Sequence, residues 1–192
     1  MTNDTNASRS GGADHRTGPT TARLFLRQMV PDDAEAFFRI QSDPEVMRYT
    51  HETPPESVEQ LRGFLADYPD FDTVGYGRWG CYLRESGELI GFSGLKYMAD
   101  LGATDLGYRL LPKYWGQGLA TEAGRASLRY GFETIGLERI AGFVLPANAG
   151  SIRVLEKVGM ERDGTVEIDG LEAQRFRIDR ERWERSAALG SD

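Results

Sequence analysis

The strongest constraint in this chain is a succession of three strand-like segments between Trp79 and Leu111 that ends in a glycine-bearing junction and then changes to helical spacing. Trp79, Cys81 and Leu83 alternate with Gly80 and Tyr82, the polar turn Glu85-Ser86-Gly87-Glu88 follows, and Leu89 to Leu95 is apolar again, the signature of a hairpin. A third strand is predicted from Asp105 to Leu111, with Leu106, Tyr108 and Leu110 on one face and Gly107, Arg109 and Leu111 on the other. Three consecutive strands of this kind form a meander.

The flanks supply the helices. Residues 1–20 are rich in Ser, Thr, Asn, Asp and Gly and read as a disordered leader. The ordered domain is predicted over 21–183, with 184–192 as a flexible tail. It opens with a strand in which Leu24 and Leu26 share one face and Phe25 takes the other. Pro31 begins a helix carrying Ala34, Phe37, Phe38 and Gln41 at helical spacing, and Pro44 interrupts it. A second helix is expected to be capped by Thr53, with Pro54 at its first position and Glu56 at its third, followed by the apolar stripe Val58, Leu61, Leu65 and Tyr68. Asp67 to Gly77 reads as a loop.

After the meander a helix is predicted from Leu119 to Phe132, whose small residues Ala120, Ala123 and Ser127 permit close approach to a sheet. A strand from Ile140 to Leu145 and a helix ending near Lys157, with Gly159 beyond it, come next. Strands near Glu161 to Ile168 and Leu171 to Arg180 are joined by the hairpin turn Asp169-Gly170. With 192 residues and no internal repeat, this order predicts a single α+β domain with a central mixed sheet flanked by helices.

Composition removes several kinds of chemistry. The single cysteine, Cys81, allows no internal disulfide and no cysteine cluster for zinc, so no metal site is expected. The two histidines, His15 and His51, fall in the leader and a loop, which argues against a histidine base. A formal net charge of −7 disfavours a broad nucleic-acid surface and suits a cationic partner such as an amine. No apolar run approaches the roughly 20 residues a membrane helix needs, and no export signal is evident, so a soluble cytoplasmic protein without membrane partners is expected.

The junction Pro112-Lys113-Tyr114-Trp115-Gly116-Gln117-Gly118-Leu119-Ala120-Thr121 joins a strand to a helix. Backbone N–H groups at a helix start lack partners and the helix dipole adds positive character, so such a junction binds anions through its amides. Glycines at 116 and 118 remove side chains that would obstruct a pyrophosphate. The lysine and hydroxyl of a nucleotide-triphosphate loop and the third glycine of a dinucleotide fingerprint are absent. A tight turn without ligand remains the alternative on this stretch alone.

Further motifs set the junction in context: Arg23-Leu24-Phe25-Leu26-Arg27, Ser42-Asp43-Pro44-Glu45-Val46-Met47, Leu106-Gly107-Tyr108-Arg109-Leu110, and the stretch from Asn148 to Met160. Over about residues 21–183 the sequence resembles the GNAT superfamily of acetyl-CoA-dependent N-acetyltransferases. Within it, the form Tyr114-Trp115-Gly116-Gln117-Gly118-Leu119-Ala120 looks like the branch that acetylates the amino-terminal alanine or serine of ribosomal proteins.

The resemblance implies a V-splayed sheet with acetyl-CoA between the strands near Leu106–Leu111 and Ile140–Leu145. Its pyrophosphate would meet the amides of Gln117, Gly118, Leu119, Ala120 and Thr121. Its pantetheine arm would lie along the backbone of Leu110 and Leu111, with Asn148 and Ser151 near the cofactor. The tyrosine that often protonates the departing thiolate in this family falls at Leu155, which has no donor; Ser151 matches the serine given that role in the resembled branch. Glu167 and Glu172 are candidates for the general base, and Cys81, inside a strand, is a poor acetyl carrier. Tyr108 and Trp115 are expected beside the cofactor channel, while Arg109, Lys113 and Arg153 could offset phosphate charge. The expected reaction is direct transfer of acetyl to a primary amine of a protein amino terminus or a small molecule. Transfer of another acyl group, and a non-catalytic acetyl-CoA sensor, remain as alternatives, and a homodimer is left open.

Overall fold

The computed structural model describes residues 16–50 and 52–189. Its frame is an eight-stranded mixed sheet in the order β1-β2-β3-β4-β5-β6-β8-β7. The strands are β1 (Thr17–Thr20), β2 (Leu24–Arg27), β3 (Arg78–Leu83), β4 (Leu89–Met98), β5 (Ala103–Leu110), β6 (Arg139–Val144), β7 (Glu161–Ile168) and β8 (Leu171–Asp179). All neighbours pair antiparallel except β5 and β6, which are parallel. The helices are α1 (Ala34–Gln41), α2 (Pro44–Met47), α3 (Val58–Ala66), α4 (Asp70–Thr73), α5 (Leu119–Arg129), α6 (Ala149–Lys157) and α7 (Arg180–Leu189). The predicted α+β architecture holds, and the structure adds β1, α2, α4 and α7 to the predicted order of elements.

Each sheet face buries its own apolar set. On one face, Phe37 and Ile40 of α1 and Leu61 and Leu65 of α3 pack on Tyr82 and Phe92. On the other, Leu128 and Phe132 pack with Leu155 and Val158 of α6 over Leu95, Leu106, Ile140 and Phe176. The small face of α5 lets it lie close: Ala123 is fully buried, and Ser127 Oγ lies 3.0 Å from Ser93 Oγ of β4. Among the described residues no helix is long and apolar enough to cross a membrane.

Several boundaries differ from expectation. Thr17–Thr20 is a strand paired with β2, so order begins inside the supposed leader; residues 1–15 and His51 lie outside the described residues. Polar composition does not forbid this, because an edge strand is held by backbone hydrogen bonds. The second helix starts at Val58 with Ser57 as its cap, its Oγ accepting from Gln60 N–H at 3.1 Å. Thr53 cannot cap it, since Pro55 keeps Pro54 extended. The expected loop before β3 contains α4. Arg180–Leu189 is helical rather than a loose tail from residue 184, anchored by Trp183 stacked on Phe132 with ring centres 5.7 Å apart.

Close backbone approach between β4 and β5 depends on Gly91, where a Cβ would collide with Arg109 O and stand 2.6 Å from Leu110 Cδ2. Gly91→Ala is expected to cost about 1–3 kcal/mol, read as a lower midpoint in urea at unchanged slope. Gly63→Ala, inside α3 with open space around it, should instead add up to ~1 kcal/mol. Equal stability of the two variants would refute this account of the β4–β5 spacing.

Candidate active site

Strands β5 and β6 share one pairing, Asp105 with Ala141, and then part. Between the diverging strands lies a cleft of about 560 Å³, bounded by Leu106 to Leu110, Phe143 to Leu145 and the start of α6. Leu111 N–H donates to Ile90 O of β4 at 2.9 Å. Polar groups alternate in direction along a strand, so those of Leu110 and Tyr108 point the other way, into the cleft. Leu110 O accepts from the Trp115 indole N–H at 2.6 Å, leaving Leu110 N–H turned to the opening. Leu111, expected to share this role, has its N–H committed to the sheet.

The junction after β5 behaves as its glycines require. Gly116 and Gly118 have φ of 74° and 78°, in the left-handed region that side chains disfavour. Gly118 is the N-cap of α5 and no side chain caps the helix; Glu122 N–H is the first to turn back, onto Gly118 O at 3.0 Å. The amides of Leu119, Ala120 and Thr121 are therefore without helical partners. Gly116, Ala120 and Trp115 line the cleft, whereas the Leu119 side chain is buried in the core. The Gln117 side-chain amide donates to Lys113 O at 2.8 Å. Arg23, at the start of β2, clasps the loop: its Nη1 donates to Gln117 O at 2.8 Å and its Nε to Glu122 Oε2 at 2.7 Å. Glu122 Oε1 also accepts from the Thr21 hydroxyl and from Arg23 N–H.

At the start of α6, Asn148 Oδ1 accepts from Ser151 N–H at 3.0 Å, so Asn148 is the helix cap. Ser151 O accepts from the Tyr108 hydroxyl at 2.9 Å. Ser151 is thus held through both backbone groups at the cleft wall, and among the described residues its hydroxyl has no partner. Burial pushes the Tyr108 hydroxyl above its usual range. Leu155 is buried, its Cδ2 2.9 Å from where a Cβ on Gly142 would stand.

The opposite face of β5 carries charge. Asp105 is 8% exposed, paired with Arg78 Nη2 at 2.9 Å and lying near Phe143 N–H. Burial raises its pKa, outweighing the lowering by Arg78 and by that N–H. Arg78 crosses β5 at Gly107, where a Cβ would stand 2.5 Å from its guanidinium carbon. Arg109 is bonded by Glu52 through both guanidinium nitrogens at 2.7 and 2.6 Å and by Gln41 at 3.0 Å.

Other expected residues fall outside this cluster. Glu167 and Glu172 pair across the β7–β8 hairpin and are exposed. Ile168, Leu171 and Ala173 line the cleft, so strand alternation turns both glutamates to the other face. Lys113 pairs with Glu88 and Arg153 is exposed away from the cleft lining, whereas Arg109 lines the cleft with its guanidinium engaged by Glu52. Cys81 is fully buried and its thiol is pushed up by burial, leaving no thiolate to carry an acyl group. Asp105, Arg78 and Glu52 were not singled out from sequence; the one signal was an acid at the start of the strand predicted from Asp105 to Leu111.

Comparison with known proteins decides what this cleft belongs to. The family described as Acetyltransferase (GNAT) domain matches residues 23–161. The chain belongs to the GNAT acetyltransferase family. A Bacillus subtilis (strain 168) relative named Uncharacterized N-acetyltransferase YoaA is 36% identical over 151 residues, covering 76% of this chain and 84% of its own. Another, Uncharacterized N-acetyltransferase p20 of Bacillus licheniformis, is 34% identical over 148 residues, covering 76% and 83%. The crystal structure of a GNAT-family acetyltransferase from Bacillus anthracis superposes with a TM-score of 0.71 at 29% identity, covering 85% of this chain and 98% of that one.

This protein is accordingly an acetyl-CoA-dependent acetyltransferase, and its residues fit that donor. No side chain caps the first amides of α5, a Cβ at Gly116 would meet nothing within 4 Å, and the parted strands leave backbone polar groups free for an extended arm. Because Arg23 fixes Gln117 and Glu122 together, Arg23→Ala should loosen the loop and weaken coenzyme A binding by roughly 3- to 10-fold, with little change in turnover at saturating donor. Calorimetric titration showing unchanged affinity would overturn that assignment.

Proposed function

We propose that the acetyl acceptor is a primary amine, that it meets the donor where β5 and β6 part, and that Asp105 receives its proton. The observation that carries this reading is the buried Asp105 carboxylate lining the cleft, held by Arg78 at 2.9 Å. A carboxylate whose pKa is raised by burial is a better proton acceptor than a solvated one. Bound acetyl-CoA supplies an acetyl group activated as a thioester.

The chain's own groups account for the rest. The amides from Gln117 to Thr121 hold pyrophosphate, and Leu110 N–H donates to the carbonyl oxygen on which negative charge grows. Asp105 lies five residues from Leu110 along β5, about 16 Å, so its Oδ receives the proton that the amine sheds through a chain of water molecules in the cleft. The Ser151 hydroxyl points a donor at the departing sulfur, its position set by the Asn148 cap and the Tyr108 bond. Amine, donor and residues are thereby held together for direct transfer, in which positioning supplies much of the rate. The Trp115-to-Ala120 form and its likeness to the ribosomal-protein branch support an amine on an α-carbon, as in an amino terminus or an amino acid.

Asp105→Asn should lower kcat/KM by about 10²- to 10⁴-fold while coenzyme A affinity holds. In the parent enzyme activity rises with pH as Asp105 loses its proton, so the acid limb should lie above the ordinary carboxylate range and vanish in the variant. A variant that keeps both rate and limb would eliminate Asp105 as the base. Ser151→Ala should reduce turnover more than donor affinity, and unchanged turnover would remove Ser151 from the proton path.

A further inference from the structure

Beside the cleft lies a second cavity of about 340 Å³, on the sheet face covered by α1 and α3. One side of it is apolar, formed by Phe37, Leu61, Phe64, Leu65, Tyr68 and Phe92, and Gln41, Thr53 and Gln60 also line it. Phe64 is 48% exposed, unusual for so large an apolar side chain, and meets Tyr68 edge-on with ring centres 5.5 Å apart. Glu52, Arg78 and Arg109 line both cavities and form the wall between them.

That wall is a seat for one carboxylate. The guanidinium carbons of Arg78 and Arg109 stand 5.3 and 5.5 Å from the centre of the Phe92 ring, and Lys96 also lines the cavity. The carboxylate now in the seat belongs to Glu52, whose side chain is 54% exposed and which comes from an irregular segment between α2 and α3. Burial pushes the Glu52 carboxyl up, but the Arg109 bonds and the charges of Arg109, Arg78 and Lys96 more than offset it and hold it below its usual range. Arg109 is fixed in the wall, its side chain only 12% exposed, whereas Glu52 is half-exposed on an irregular segment, so Glu52 is the partner that a competing carboxylate can replace. The same three cations oppose entry of a second ammonium group.

We propose that the acceptor is a free α-amino acid with an apolar or aromatic side chain, its carboxylate displacing Glu52 from Arg109. This rests on the amine reading above and narrows it. In an α-amino acid the amine, carboxylate and side chain leave one carbon. A carboxylate seated in the shared wall therefore sends the amine into the cleft toward Asp105 and the side chain against the apolar side of the second cavity. A volume of about 340 Å³ accommodates such a side chain and closes around it, as small-molecule sites do.

The test compares acetylation of L-phenylalanine, 2-phenylethylamine and spermidine by mass and thiol release, in the parent, Arg109→Gln and Glu52→Gln proteins. Expected are a kcat/KM for L-phenylalanine at least about tenfold above that for 2-phenylethylamine, collapse of that ratio below about threefold in Arg109→Gln, and a lower KM for L-phenylalanine in Glu52→Gln. Better turnover of 2-phenylethylamine or spermidine would leave the amine reading standing and overturn this one, as would a ratio that survives Arg109→Gln. Should no amine be acetylated, calorimetric binding of L-phenylalanine to the coenzyme A-loaded protein decides. Arg109-dependent binding retains the carboxylate seat and defeats amine transfer, and absence of binding defeats the seat.

Discussion

The active site depends on two sheet halves that touch through a single parallel pairing. From β1 to β5 every strand is antiparallel to its neighbour, and so are β6, β8 and β7, so each half satisfies its own backbone. Only Asp105 and Ala141 join them across the parallel seam. Past that point the backbone groups of Tyr108 and Leu110 have no strand opposite, a costly condition inside a protein unless something else bonds them. The Trp115 indole satisfies one carbonyl, and the others face the cleft. The seam stays open because α6 is wedged beneath it: Leu155 packs into the space left by Gly142, and the shared core of Leu106, Ile140 and Val144 binds both halves from that side.

Alternation along β5 then divides the work between two faces. Leu106, Tyr108 and Leu110 face α5 and α6, where the anion-binding loop and Ser151 lie. Asp105, Gly107 and Arg109 face α1 and α3, where the second cavity lies. On the proposed reading, donor and acceptor approach from opposite sides of one sheet and meet only in the gap. Gly107 belongs to this scheme as much as its charged neighbours, because a side chain there would occupy the path of Arg78 and free Asp105 from its partner.

Local patterns were the legible part of the sequence. The hairpin turn Glu85-Ser86-Gly87-Glu88 and the Asp169-Gly170 turn, whose residues have φ of 52° and 76°, are each settled by a few adjacent residues, and the structure has them as read. What was missed depends on partners distant in sequence. Asp105 becomes distinctive only through Arg78, 27 residues earlier, and Glu52 only through Arg109, 57 residues later. Glu167 and Glu172 were placed on the correct hairpin, but a strand's composition does not say which of its faces turns inward until the sheet it joins is known. The Thr17–Thr20 strand was hidden for the same reason, since its order comes from β2 rather than from any apolar side chain.

Leu155 shows how packing and proton chemistry compete for one position. Its side chain is a fully buried part of the wedge that keeps the seam open, so a polar group there would exchange core packing for a donor. What α6 presents to the cleft instead is its amino-terminal turn, with Ser151 fixed by the Asn148 cap and by Tyr108. A helix start lowers the energy of a nearby thiolate through its dipole and open amides. The more the turn stabilises departing sulfur as an anion, the less acidic its proton donor has to be. A serine hydroxyl is a weak acid, and on this reading it suffices because it acts at the positive end of α6, while the demanding proton transfer falls to the buried carboxylate of Asp105.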